Sequence, residues 1–328
     1  MAAMQKQPLS LFSLNCYLVP SLFSFKKVNS TCREQGSRSG LIADLVIKKK
    51  PDVILFQEMW GTNVNQIHHK LAPQYHLQPS TGSWGGVTPS LWNLYGYKTT
   101  ILDPLLFWLN HSGGLMSGFD RNKFHLKDWK KHTFTVSESG SRKGVSCLHL
   151  DTSSLWGEGS SVMLFNTHLD PNHRDNKREQ ISQIHSFVKQ SQIQILNLRK
   201  SSIEKAEQGG TQVSKCGVLI VGDFNIPSSW KEERQLLLDR LNARDLYSEH
   251  ITQCSLEEDF TYESDNSYFT KLVETKTSRR IDYVLAVDSV DDKKMLPLSV
   301  HGWDIEKQER GREVSDHWAQ IIQVMPQE

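Results

Sequence analysis

The run Val218-Leu-Ile-Val-Gly-Asp223-Phe-Asn225 decides how this chain is read. Its all-apolar start reads as a strand buried on both faces, and strands of that kind belong to sheets covered by other layers. Gly222 then predicts a sharp turn, after which Asp223 and Asn225, two residues apart, aim oxygens at one point. A turn closed by Asx hydrogen bonds is the alternative reading. Working outward, other apolar runs carry polar groups in the same way. Leu9–Leu14 leads to Asn15, Val53–Phe56 to Glu58, Val162–Asn166 to His168, and Ile281–Val287 contains Asp282. Ser315-Asp316-His317 stands near the C-terminus. The ends of buried strands are where α/β folds assemble active sites.

Gly113–Phe119, Gly144–Leu150 and His317–Val324 complete the predicted strands. Between the first two strands, Leu41, Ile42, Leu45 and Val46 recur at helical spacing, and Pro51 closes the segment. A second helix is predicted from about Arg174 to Gln192, with Ile181, Ile184, Phe187 and Val188 as its apolar stripe, and a third over Trp230–Leu241. Arg199–Lys215 reads as a solvated, mobile loop. The candidate site residues run from Asn15 to His317 and have to converge, so one domain over 9–325 is expected.

The 328 residues are 38% apolar, enough for one large core. With 38 basic and 37 acidic side chains there is no global nucleic-acid footprint, which leaves a local basic patch open. Five scattered cysteines without CxxC spacing indicate neither a disulfide framework nor a zinc site, so a reducing, cytoplasmic setting is expected. The polar N-terminus leads into Asn15 and predicts no signal peptide. No stretch approaches the roughly 20 apolar residues of a transmembrane helix.

Glu58 is a hard oxygen donor that suits Mg²⁺, its alternative being an acid at a helix start. His168 could equally be a satisfied buried imidazole. Asp282 is an acid within a strand, costly unless paired. His317 is its natural partner, because a carboxylate that fixes an imidazole tautomer makes it a general base near neutral pH.

The ordered set Asn15, Glu58, Thr167-His168, Gly222-Asp223-Phe-Asn225, Ile281-Asp282-Tyr and Ser315-Asp316-His317 resembles the endonuclease/exonuclease/phosphatase superfamily. Within it, Leu14-Asn-Cys-Tyr-Leu-Val-Pro20, Gln57-Glu-Met-Trp60, Asn166-Thr-His-Leu169 and Arg280-Ile-Asp-Tyr-Val-Leu285 are similar to the neutral sphingomyelinases. The resemblance implies an α+β fold, a four-layer α/β/β/α sandwich with two mixed sheets face to face. It implies Mg²⁺, with Mn²⁺ as a substitute, held by Glu58 with Asn15 close by and Asp316 in support. Asp223 would orient the attacking water, Asn225 would hold the phosphate, and His168 would stabilise charge growing on a phosphoryl oxygen. His317, backed by Asp282, would be the base. Sphingomyelin would yield ceramide and phosphocholine.

Two segments bear on the substrate. Ser90–Asn110, with Trp92, Tyr95, Tyr97 and Trp108 among aliphatic residues, resembles an interfacial anchor that Trp84 could extend. Packing on the core, covering a sheet edge and a dimer contact are its alternatives. Lys143, in a Lys-Gly pair that sphingomyelinase-like members share, could engage a phosphate, or could be a solvated basic turn. His173 and Arg174 read as surface residues within reach of a head group. A phospholipid at a membrane surface is therefore the expected partner. A nuclease of the endo-, exo- or abasic-site type, and a phosphoinositide phosphatase, are the rival activities on the same site, and a silent binding module is the rival class.

Overall fold

The computed structural model describes residues 6–18, 35–60, 64–79, 113–137, 143–206, 215–254, 260–263, 278–288 and 295–327. In chain order the elements are β1 (Leu9–Asn15), α1 (Gln35–Lys49), β2 (Val53–Gln57), α2 (Val64–Leu71), β3 (Tyr75–Pro79), β4 (Met116–Asp120), β5 (Leu126–Thr133), β6 (Gly144–Asp151), α3 (Ser153–Trp156) and β7 (Ser160–His168). They continue with α4 (Arg174–Ala206), β8 (Lys215–Asp223), α5 (Lys231–Leu241), β9 (Ala243–Asp245), α6 (Leu246–Cys254), β10 (Asp282–Val287), β11 (Leu298–Glu306), the short ribbon β12 (Gln308–Glu309) and β13 (Arg312–Glu313), and β14 (Ala319–Pro326).

Two six-stranded sheets result, ordered β11-β14-β1-β2-β4-β3 and β5-β6-β7-β8-β10-β9. Both are mixed: β1 and β2 are parallel in the first, β7 and β8 in the second, and the remaining pairs are antiparallel. Side chains alternate across each strand, so the apolar residues sort into layers. Leu9, Leu11, Val53, Leu55, Val162, Leu164, Leu219, Val221 and Val284 fill one core between the sheets. Phe12, Leu14, Ile54 and Phe56 face outward to Leu41, Ile42, Leu45 and Ile67 on α1 and α2. Met163, Phe165, Val218 and Ile220 face Ile181, Ile184, Val188 and Leu237 on α4 and α5. This is the expected four-layer sandwich.

The same alternation positions the polar residues. Asn15, Gln57, Asn166, His168, Asp223 and Asp282 share parity with the inter-sheet apolar residues of their own strands. Each therefore belongs to the face turned toward the opposite sheet, at the point where the apolar filling ends.

Local structure differs from expectation in several places. Gly222 lies within β8, not in a turn; at φ 144° a Cβ would fall 2.0 Å from the Thr167 carbonyl oxygen of β7, so a side chain there would prise the two strands apart. The bend comes at Asn225, with φ 51°. The loop expected over Arg199–Lys215 is helical as far as Ala206. His317 precedes β14, which starts at Ala319. Asp282 opens β10, and because β10 is antiparallel to β8 that start lies beside the end of β8, Asp282 opposite Asp223. No helix among the described residues is long and apolar enough to cross a membrane. Ser90–Asn110 and Trp84 lie outside the described residues.

Candidate active site

Register brings the second sheet's residues side by side: His168 pairs with Asp223, and Asp223 with Asp282. The first sheet contributes Asn15 at the end of β1 and Glu58 just past β2. Glu58 adopts φ 53°, a left-handed conformation rare for a long side chain, of the kind that gathers at functional sites. Asn15 bridges the sheets, its Nδ2 donating to Asp223 Oδ2 at 3.0 Å and to Glu58 Oε1 at 3.3 Å. Asp223 Oδ1 accepts the Asn225 backbone N–H at 2.8 Å, and Asn225 Nδ2 donates to the Leu169 carbonyl at 3.1 Å.

His168 is 1% exposed, and its Nε2 lies 2.8 Å from Lys143 Nζ, 3.5 Å from Asp223 Oδ2 and 3.7 Å from Glu58 Oε1. Burial first, then the Lys143 and His317 cations, hold its pKa well below 6.5, so its imidazole is neutral at pH 7. Lys143 is itself 4% exposed and also donates to the Leu169 carbonyl at 2.6 Å, which rules out the solvated basic turn. On the other side, His317 Nδ1 and Asp282 Oδ2 are 2.8 Å apart, and His317 Nε2 lies 3.9 Å from Asp223 Oδ2. Burial alone would depress His317, but the carboxylates of Asp282, Asp316 and Asp223 lift its pKa to about 10. In this state it is an imidazolium at neutral pH.

All nine residues nominated for the site, Asp316 included, come from the rim of the inter-sheet layer. Asp316 accepts from Ser315 Oγ at 3.2 Å, and Ser315 Oγ also donates to the Asn15 carbonyl. His173 and Arg174 are exposed; Arg174 pairs with Glu233 at 3.1 Å and lies over the Trp230 ring.

Burial raises the carboxyls of Glu58, Asp223 and Asp316, the latter two to about 6. Crowded carboxylates with raised pKa and an amide oxygen nearby make a donor set suited to a hard divalent cation. A second arrangement also fits one: ligand atoms of Asp223, Asp282 and His317 all lie within 4.8 Å of one another.

Two supports of the site carry no local signal in the sequence. Lys177, 5% exposed, donates from α4 to the Asn225 carbonyl at 2.7 Å and holds that bend. Between the sheets, Gln57 Nε2 donates to Asn166 Oδ1 at 2.8 Å, and Asn166 Nδ2 donates to the carbonyls of Phe56 at 3.0 Å and Met116 at 3.2 Å. The Gln57-Glu58 and Asn166-Thr-His168 strings hold both residues in plain view, but only the packed sheets show that they meet.

No curated protein matches the chain by sequence. Among solved structures, sphingomyelinase C from Streptomyces griseocarneus has TM-score 0.61 at 16% identity, over 96% of this chain and 99% of that one. A Staphylococcus aureus beta toxin structure has TM-score 0.61 at 19% identity, over 97% and 100%. D. rerio TDP2 complexed with a single-strand DNA product has TM-score 0.58 at 15% identity, over 97% and 99%. At such identities these likenesses establish the shared fold. The Endonuclease/Exonuclease/phosphatase family profile matches residues 24–317, nearly the whole span of the site, and the chain belongs to that family of phosphoric ester hydrolases.

Proposed function

We propose that residues 9–325 form one catalytic domain that hydrolyses a membrane phosphodiester, sphingomyelin foremost, to ceramide and phosphocholine. It would act in the cytoplasm as a peripheral enzyme with Mg²⁺, or Mn²⁺ in its place. The observation that carries this reading is Lys143: a buried ammonium beside His168, within one layer of Asp223 and Asn225, is a point charge suited to a phosphodiester monoanion. Its Lys-Gly pair is the feature shared with sphingomyelinases, and a net charge of +1 gives a nucleic-acid backbone little general attraction.

Glu58, with Asn15 and Asp316, would hold the cation. When bound, the cation neutralises phosphate charge, lowers the pKa of water and offsets the carboxylates around His317. Asp223, restrained by Asn15 and Asn225, orients the attacking water. Lys143 and Asn225 bind phosphoryl oxygens. His317, its Nδ1–H held by Asp282, keeps Nε2 toward Asp223 and takes the water's proton there once it is neutral. His168 would stabilise charge growing on a phosphoryl oxygen.

A panel of sphingomyelin vesicles, lysophospholipid, phosphoinositide, abasic DNA and single-stranded DNA, each with Mg²⁺ or EDTA, tests this. Phosphocholine release from sphingomyelin that requires Mg²⁺ is the expected result. Faster turnover of either DNA would replace the lipid reading with the nuclease one.

A further inference from the structure

Arg38 on α1, among the largest fully buried side chains of the described residues, has no place in the roles above. The residue is 1% exposed, and its guanidinium reaches two segments far apart in sequence. Nη1 donates to the carbonyls of Cys16 at 3.3 Å and Val314 at 3.2 Å, and Nη2 donates to the carbonyl of Tyr17 at 2.7 Å. Cys16 and Tyr17 directly follow Asn15; Val314 directly precedes Ser315-Asp316-His317. A buried cation is costly to keep unless it is hydrogen-bonded and paired.

The anchored segments are unusual. Tyr17 sits at φ 47°, its N–H donating to Asn15 Oδ1 at 3.1 Å, while its ring packs under the Arg38 guanidinium at 5.8 Å. Cys16 N–H and Leu18 N–H donate to the carbonyls of Gln57 and Glu58 at 2.9 and 3.0 Å. The stretch gripped by Arg38 is thus itself tied to the backbone of Glu58.

We propose that Arg38 is a positioning residue for divalent-cation binding: its hydrogen bonds to the Cys16, Tyr17 and Val314 carbonyls hold the Asn15 turn against the Asp316 turn, so that both stand in register with Glu58. This rests on the assignment of Glu58, Asn15 and Asp316 as the cation's ligands. The guanidinium's planar fork spans two backbone segments at once, which a lysine ammonium on a flexible stem cannot reproduce.

Isothermal titration calorimetry with Mg²⁺ and Mn²⁺, without substrate, tests the inference on wild type, Arg38→Lys, Arg38→Met and Glu58→Gln. Arg38→Lys is expected to keep a cooperative melt yet bind cation roughly ten- to hundredfold more weakly, the usual effect of removing an outer support of a metal ligand. Unchanged affinity in a folded Arg38→Lys, with binding lost in Glu58→Gln, overturns the role of Arg38 alone. Full binding in Glu58→Gln overturns the ligand assignment instead. Should both Arg38 variants fail to fold, the Nε–H resonance of Arg38 in the wild-type protein decides. A shift or slowed exchange on cation saturation supports the proposal, and an unmoved resonance rejects it.

Discussion

Replacing Asp282 by Asn isolates the electrostatics of His317. Both residues are buried, and their 2.8 Å contact joins Nδ1 to Oδ2. In the cation-free protein burial pulls the imidazole's pKa down, yet it stands at about 10 against an ordinary 6.5. The surrounding carboxylates therefore supply more than the net difference, and Asp282 is the foremost of them. An opposite charge at this range is worth about 1–3 pKa units, or about 1–4 kcal/mol of preference for the imidazolium. In Asp282→Asn the midpoint should fall to between about 7 and 9. Because the folded pKa lies above the unfolded one, the coupling stabilises the fold fully below pH 6.5 and is lost as pH rises through about 10. The gap in melting temperature between wild type and Asp282→Asn should thus be widest in mild acid and close toward pH 10. Histidine Cε1–H resonances followed from pH 5 to 11 in EDTA, with His317→Gln for assignment, give the midpoints. A wild-type midpoint near 6.5, or one that Asp282→Asn leaves in place, would refute the reasoning.

Lys143→Met keeps the buried stem and removes the charge; kcat/KM on the proposed lipid substrate should fall about ten- to hundredfold, the worth of one charge-assisted hydrogen bond. The His168 pKa should rise in the same variant, because the Lys143 ammonium helps to depress it, and an unmoved His168 resonance would count against the contact. Asn166→Ala leaves the Gln57 amide and the Phe56 and Met116 carbonyls short of partners inside the sandwich. A urea titration should show a loss of about 1–3 kcal/mol, and under about 0.5 kcal/mol would mean that water or repacking satisfies them.

What the sequence displayed most plainly was where buried strands stop. Asn15, Glu58, His168 and Asp223 each follow an apolar run, and a polar side chain after such a run has few places to go other than the sheet's rim. Asp282 was harder, because a run of residues does not reveal which way its strand points; only pairing with β8 turns its beginning into a neighbour of Asp223. β5 has no apolar run to mark it, since Leu-Lys-Asp-Trp-Lys-Lys-His-Thr reads as polar, the composition of a charged edge strand. Low hydrophobicity makes Arg199–Ala206 read as a loop, yet Arg199, Lys200, Glu204, Lys205 and Ala206 are good helix formers and α4 continues through them. Arg38, Lys177 and the Gln57–Asn166 pair act through contacts between residues distant in sequence, and no local pattern announces those.

The amide pair between the sheets carries a further consequence. Half of the chemistry stands on one sheet and half on the other, and apolar side chains alone would tolerate a sideways slip of the layers, being greasy whichever neighbour they meet. Gln57 and Asn166 tolerate none, since their bonds have direction and reach, so they behave like a dowel through two planks. Catalysis then reports alignment more sensitively than helix or strand content does. Under gentle denaturation turnover should vanish while the far-ultraviolet signal is still nearly native.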